Sequence, residues 1–269
     1  IDKLRKNPEL QDKVEFEILY TCYDLNFGKI SQELSKAGFS NQEIDELKRS
    51  LIRLTNNLIV NFKITIRDDM NSVFLMKKTR KQVSSNIKNS DSAVELLTNA
   101  KILLDDCKQN GTVQFSRLAR LAFIGNIILK SIVNESILST DFYDDYMNSI
   151  RTVAKQLSED FNKLISGDMN KKKFLDIYGH LRPGTYDIAS MRYDKNPQIF
   201  KWYGGKITSK DKKLKFKILE NVHKKITEKL KNHNFEVKPQ ELFEFIRSAI
   251  ESRELSKFEF TKSLSDAIE

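Results

Sequence analysis

Apolar residues recur every three or four positions along most of this chain, the spacing that gathers them on one side of an α-helix. The pattern predicts a succession of helices. Ser40-Asn-Gln-Glu43 reads as a capping box opening a helix through Leu58. Further helices are expected over 69–87 and over 92–108, the latter stopping at Asn110-Gly111. A strongly apolar helix follows over 115–134. Ser139-Thr140-Asp141 caps another, running to about Ile165, and a short one covers 171–178. A basic helix is expected over 211–231, and Pro239 stands at the first position of a long last helix. Residues 12–23 (DKVEFEILYTCY) nearly alternate and fit either a strand or a buried helix. With strand signals scarce, the expected class is all-α or nearly so, a single multi-helix domain over 1–269 with one long ordered loop.

That loop, 178–197 (YGHLRPGTYDIASMRYDKNP), breaks the helical pattern. It holds two of the four prolines and one of the three histidines, so it cannot be a helix interior. It fits a crossing between helices with turns at Asp187 and Asp194, or an ordered loop that presents polar groups. In the second case Arg182 and Arg192 are candidates to clamp a carboxylate or phosphate, and Thr185 to bind beside them. His180 is a candidate proton shuttle or hydrogen-bond donor. A metal site lacks support, because no second His or Cys lies at ligand spacing.

The last helix carries an anomaly of its own. Leu242, Ile246, Ala249, Arg253, Lys257, Phe260, Leu264 and Ala267 form one stripe, which Arg253 and Lys257 interrupt with charge. Either both cations snorkel to the edge, or Arg253 pairs with a structural carboxylate, or the stripe lines a polar pocket where the two meet an anionic ligand. Arg117 and Arg120 lie three apart on one helix and Arg151 near the start of another, an arrangement that would suit the same anion.

Composition bounds the reading. The net charge is +9, and residues 201–231 supply most of it, with eleven lysines against Asp211, Glu220 and Glu228. Nucleic-acid or partner docking through this helix is the alternative function, although no aromatic residue interleaves its polar face. No apolar run is long enough to span a bilayer, and no secretory h-region opens the chain. Two cysteines, Cys22 and Cys107, are too few for a disulfide framework, so the cytoplasm is the expected compartment. The first residue is Ile1 rather than Met, and the helical pattern still runs at Glu269, which leads us to expect a piece of a longer polypeptide. No phosphate-binding glycine loop, nucleophile elbow or zinc-protease motif occurs.

The loop YGHLRPGTYDIASMRYDKNP resembles the middle segment of the phosphoenolpyruvate-synthase-like, dikinase-type phosphotransferases. The resemblance is nearest to the capsule-associated branch that includes L-glutamine kinase, with rifampin phosphotransferase more distant. Segments 12–27, 115–133, 148–154 and 252–269 support it, so it covers nearly all of the chain. It implies a central helical domain that holds the acceptor substrate, an amino acid or small anion. An ATP-grasp domain would bind ATP and magnesium, and a swivelling phosphohistidine domain would carry the phosphoryl group. Both lie outside this chain, which holds no cofactor and is expected to be inactive alone. His180 lacks the Thr-His-x-Ala context of a phosphohistidine. The resemblance gives Arg182, Arg192 and Arg253 the acceptor or the incoming phosphoryl group, and His180, Asp187 or Glu254 the attacking atom.

Overall fold

The Ser40 hydroxyl accepts from the Glu43 N–H at 3.3 Å and the Glu43 carboxylate accepts from the Ser40 N–H at 2.8 Å, the reciprocal pairing of a capping box. In the computed structural model, which describes residues 20–87, 92–183, 189–196 and 220–269, this box follows helix α1 (Phe27–Lys36) and opens α2 (Asn41–Ile87). The separate helices expected at 40–58 and 69–87 are one helix of 47 residues. No glycine or proline stands between Leu58 and Asp69, and Ile59, Phe62, Met70 and Val73 keep a buried face running through the gap.

The expected stop at Gly111 is also absent. α3 (Ala93–Cys107) passes through a π turn, Lys108–Thr112, into α4 (Val113–Asn134). Gly111 has no positive φ; a Cβ there would lie 2.5 Å from a ring carbon of Phe260 and 2.9 Å from the Met76 sulfur. It is a glycine of close approach rather than of chain reversal.

The helix expected from Ser139 to Ile165 is two, α5 (Thr140–Ser149) and α6 (Val153–Ser166). Between them Ile150 is buried, and the Thr152 hydroxyl caps α6 by accepting from the Lys155 N–H. Gly167, with φ of +85°, ends α6. Asn170 caps α7 (Lys171–Tyr178). α8 covers Glu220–Asn232 and α9 covers Pro239–Ile268, starting on its proline. No strand occurs among the described residues, and the class is all-α. Residues 12–19, the turn at 202–205 and the start of the basic helix at 211–219 lie outside the described residues, and Tyr20–Tyr23 are neither helix nor strand. No helix among the described residues is long and apolar enough to cross a membrane.

The chain forms two compact units. The first holds residues up to Lys63, Leu121–Met147 and Phe216–Ile246. Tyr23, Phe27, Ile59, Phe62, Ile128, Tyr146 and Phe245 are buried in it. Its polar groups stitch chain segments together: the Asn56 amide donates to the Asn234 carbonyl at 2.8 Å and accepts from the Glu236 N–H at 3.1 Å. α8 contributes Ile226 and Leu230 to this interior and pairs Lys229 with Glu135.

The second unit holds Ile64–Arg120, Asn148–Lys215 and Arg247–Glu269. It has two apolar clusters. In one, Met70, Val73 and Met76 of α2 meet Cys107 and Leu118, with Phe260 and Leu264 of α9 packed against them. In the other, Phe161, Phe174 and Tyr178 of α6 and α7 meet Phe258 of α9. α9 is thus the element both clusters share. A buried ion pair holds it to α2: Arg80, 7% exposed, donates to the carboxylate and carbonyl of Glu259 and to the Ser263 hydroxyl.

Candidate functional site

After α7 the chain turns at Gly179, whose N–H donates to the Leu175 carbonyl at 2.7 Å. The two arms of the loop then pair. The Tyr193 N–H donates to the Leu181 carbonyl at 2.8 Å and the Asp194 N–H to the Gly179 carbonyl at 3.1 Å. Arg192 locks this pairing onto α9. Its fork grips Asp194 at 3.1 and 2.7 Å, and its remaining nitrogen reaches Asp266 at 3.1 Å. With two carboxylates already on the guanidinium, Arg192 is a brace for the loop. Arg182 donates to the Ser190 carbonyl at 2.5 Å and to Glu269 at 3.1 Å, where Lys195 also binds.

The loop's histidine is placed differently. His180 is 2% exposed, and its backbone carbonyl accepts from the Ser265 hydroxyl at 3.2 Å. Its ring stands edge-on to Phe258, with centroids 4.6 Å apart. Neither ring nitrogen has a hydrogen-bond partner among the described residues. Burial pushes the imidazole pKa down to about 2, helped by the positive charges of Lys262, Arg192 and Arg80. The ring is therefore neutral at physiological pH, with one N–H donor and one acceptor; a backbone interaction with Ile177 only weakly opposes the shift.

A cavity of about 260 Å³ opens beside this ring. Arg182 and His180 line it from the loop, and Lys257, Thr261 and Ser265 from α9. Those three α9 residues are four apart and so share one face of the helix. Phe260 and Leu264, with Phe115 opposite, supply apolar wall. The site thus offers an ammonium, a guanidinium, hydroxyls and a neutral imidazole around an apolar floor. Such a set suits a small molecule with an anionic end, a short apolar stretch and a group able to hydrogen-bond both ways.

Of the residues singled out in the sequence, the cavity brings together His180 and Arg182 with Lys257. The others lie elsewhere. Arg253 and Glu254 pair with each other at 2.5 Å and do not line the cavity. Arg117 neutralises Asp69, a carboxylate only 2% exposed, to which its Nε donates at 3.0 Å. Arg120 and Arg151 are exposed and away from the cavity lining; the Arg151 N–H donates to Glu251 at 3.3 Å. Thr185 and Asp187 lie outside the described residues. Thr261 and Ser265 escaped the sequence reading, although their spacing from Lys257 marks a polar row. Arg80 and Glu259 escaped it too, because nothing local distinguishes a cation that will be buried from the many that stay in water.

No family model, curated protein or solved structure matches the chain.

Proposed function

We propose that this chain is the acceptor-binding helical part of an ATP-dependent phosphotransferase that works through a phosphohistidine carrier. The observation that carries the reading is the cavity where a buried, neutral His180, with no ring partner among the described residues, meets Arg182 and Lys257. Phosphoryl transfer asks an acceptor site for position and charge neutralisation more than for covalent chemistry. Lys257 would hold the anionic end of the acceptor, with Arg182, already paired with Glu269, beside it. Phe260 and Leu264 would pack its apolar stretch. His180 would hydrogen-bond the attacking atom. A pKa near 2 makes the imidazole a poor proton acceptor, so its role in this reading is to orient that atom rather than to deprotonate it.

L-Glutamine is the acceptor that the resemblance favours. Its carboxylate would meet Lys257, its methylenes the apolar floor and its amide the imidazole. ATP and magnesium would bind in the ATP-grasp domain, and the histidine that carries phosphate would sit on the swivelling domain. Such an enzyme would work in the cytoplasm.

The test uses the polypeptide that joins this chain to those two domains. ATP-dependent phosphorylation of L-glutamine, followed by phosphorus NMR, should fall steeply in His180→Phe and in Lys257→Met. Wild-type rates in both variants would sink the site assignment. Failure of the wild-type protein to phosphorylate L-glutamine, with a different small acceptor turned over, would keep the site and replace the acceptor.

A further inference from the structure

The second unit contains another cavity, of about 680 Å³, on another face of α9. Phe258, Glu259, Lys262 and Asp266 line it, whereas Lys257, Thr261 and Ser265 line the first. At about 100° per residue the two sets centre on different faces of the helix, meeting where Ser265 and Phe258 lie side by side. α2 contributes Lys77, Arg80, Lys81 and Ser84 to the new cavity, and α7 contributes Asp176 and Ile177.

The charges here do not balance among the described residues. Arg80 is committed to Glu259 and Ser263, and Asp266 to Arg192. That leaves the ammonium groups of Lys77, Lys81 and Lys262 with one carboxylate, Asp176. None of the three ammonium groups forms an ion pair among the described residues. Lys262 is partly buried, and its ammonium donates only to the Asp176 carbonyl, at 3.5 Å. Burial holds its pKa below the ordinary value, with Asp266 and Glu259 opposing and Arg80 and Arg192 adding to the shift. A cation partly withdrawn from water, whose nearby carboxylates are already paired with arginines, is costly. Lys77 and Lys81 stand one turn apart on the face of α2 that borders the same space.

We infer that this cavity is a binding site for a phosphate monoester, with Lys262 on its floor and Lys77 and Lys81 at its rim. Ammonium groups are point charges that suit a phosphate, whereas a carboxylate is matched best by a guanidinium fork, and the cavity's own guanidinium is occupied. Three ammonium groups less Asp176 leave two positive charges, which answer the charge of a monoester at neutral pH. The Ser84 hydroxyl adds a donor. Ile177 and Phe258 give the organic part of the ester an apolar wall. The site is separate from the acceptor cavity and stands whether or not that reading holds.

The probes are phenyl phosphate, inorganic phosphate and benzoate, titrated calorimetrically into this chain. Phenyl phosphate should bind about tenfold or more tightly than either of the others. Lys262→Met should weaken it by about tenfold, and the exposed double variant Lys77→Gln/Lys81→Gln by a similar factor without touching the interior. The control Lys36→Gln, a lysine of the first unit, should leave it unchanged. Benzoate binding as tightly as phenyl phosphate would overturn the inference. So would equal losses in Lys36→Gln, which mark general attraction to a basic surface. Undiminished binding in the double variant would overturn it even if Lys262→Met failed to fold. Inorganic phosphate binding as tightly as the ester would overturn the ester assignment.

Discussion

Two histidines of this chain pack against aromatic rings and meet opposite fates. In the first unit His233 lies 5.9 Å from the ring of Tyr23, whose hydroxyl stands 2.8 Å from the histidine Nδ1. In the second unit His180 lies 4.6 Å from Phe258 and neither of its nitrogens is paired among the described residues. Burial lowers the pKa of both. The Tyr23 corner is a finished piece of packing: the chain answers its own polar group. The His180 cavity leaves hydrogen-bonding capacity in the interior unanswered, at a cost of about 1–3 kcal/mol for each buried group. Sites that must bind something are where that cost is tolerated.

The contrast fails if the second unit's interior is simply wet, and its ion pair tests this most severely. Arg80→Met leaves Glu259, 9% exposed, without its counter-charge. Chemical denaturation should show a loss of about 3–5 kcal/mol. A loss under about 1 kcal/mol would mean that water reaches Glu259.

Acid titration sharpens the contrast next. The pKa of His180 falls on folding from 6.5 to about 2, so below pH 6.5 the unfolded chain takes up a proton that the folded chain refuses. Its contribution to stability is whole above pH 6.5 and declines as pH falls toward 2. Between pH 7 and pH 5 the protein should lose about 2 kcal/mol from this group. His180→Phe should flatten the stability profile over that window by about one proton, and His233→Phe by less. Equal flattening by the two variants would erase the distinction.

At neutral pH the expected effects are smaller. Tyr23→Phe removes the partner of His233 and should cost about 1 kcal/mol in a thermal or denaturant melt. His180→Phe breaks no well-formed hydrogen bond of the ring among the described residues and should change stability by less than about 0.5 kcal/mol. If His180→Phe were the costlier of the two, the imidazole would have a structural partner after all.

What could be read from the chain followed the range of the forces involved. The Ser40–Glu43 box, α7 at Lys171–Tyr178 and the Pro239 start were legible, because caps and ring constraints act over three or four residues. The three errors in helix boundaries arose where distant packing overruled a local signal. α2 runs through 59–68 on a buried apolar face; Gly111 makes room for Phe260; and the chain breaks at Ile150–Thr152. The candidate site divided in the same way. The oddity of the loop and the charge of Lys257 were visible. That Arg192, Arg253 and Arg117 each grip a carboxylate of the same chain was not, since a guanidinium fork reads alike whether it will hold a ligand or an aspartate.

The sequence by itself determined a helical chain, with one helix-breaking loop at 178–197 and two cations in the stripe of its last helix. Those properties follow from local periodicity, proline geometry and residue charge. Only the tertiary structure decided that His180 is buried with no ring partner among the described residues, that it shares a cavity with Lys257, and that the loop's second arginine is a brace. Burial and pairing depend on which side chains meet from segments some seventy to eighty residues apart, and adjacency of that kind exists only once the chain has folded.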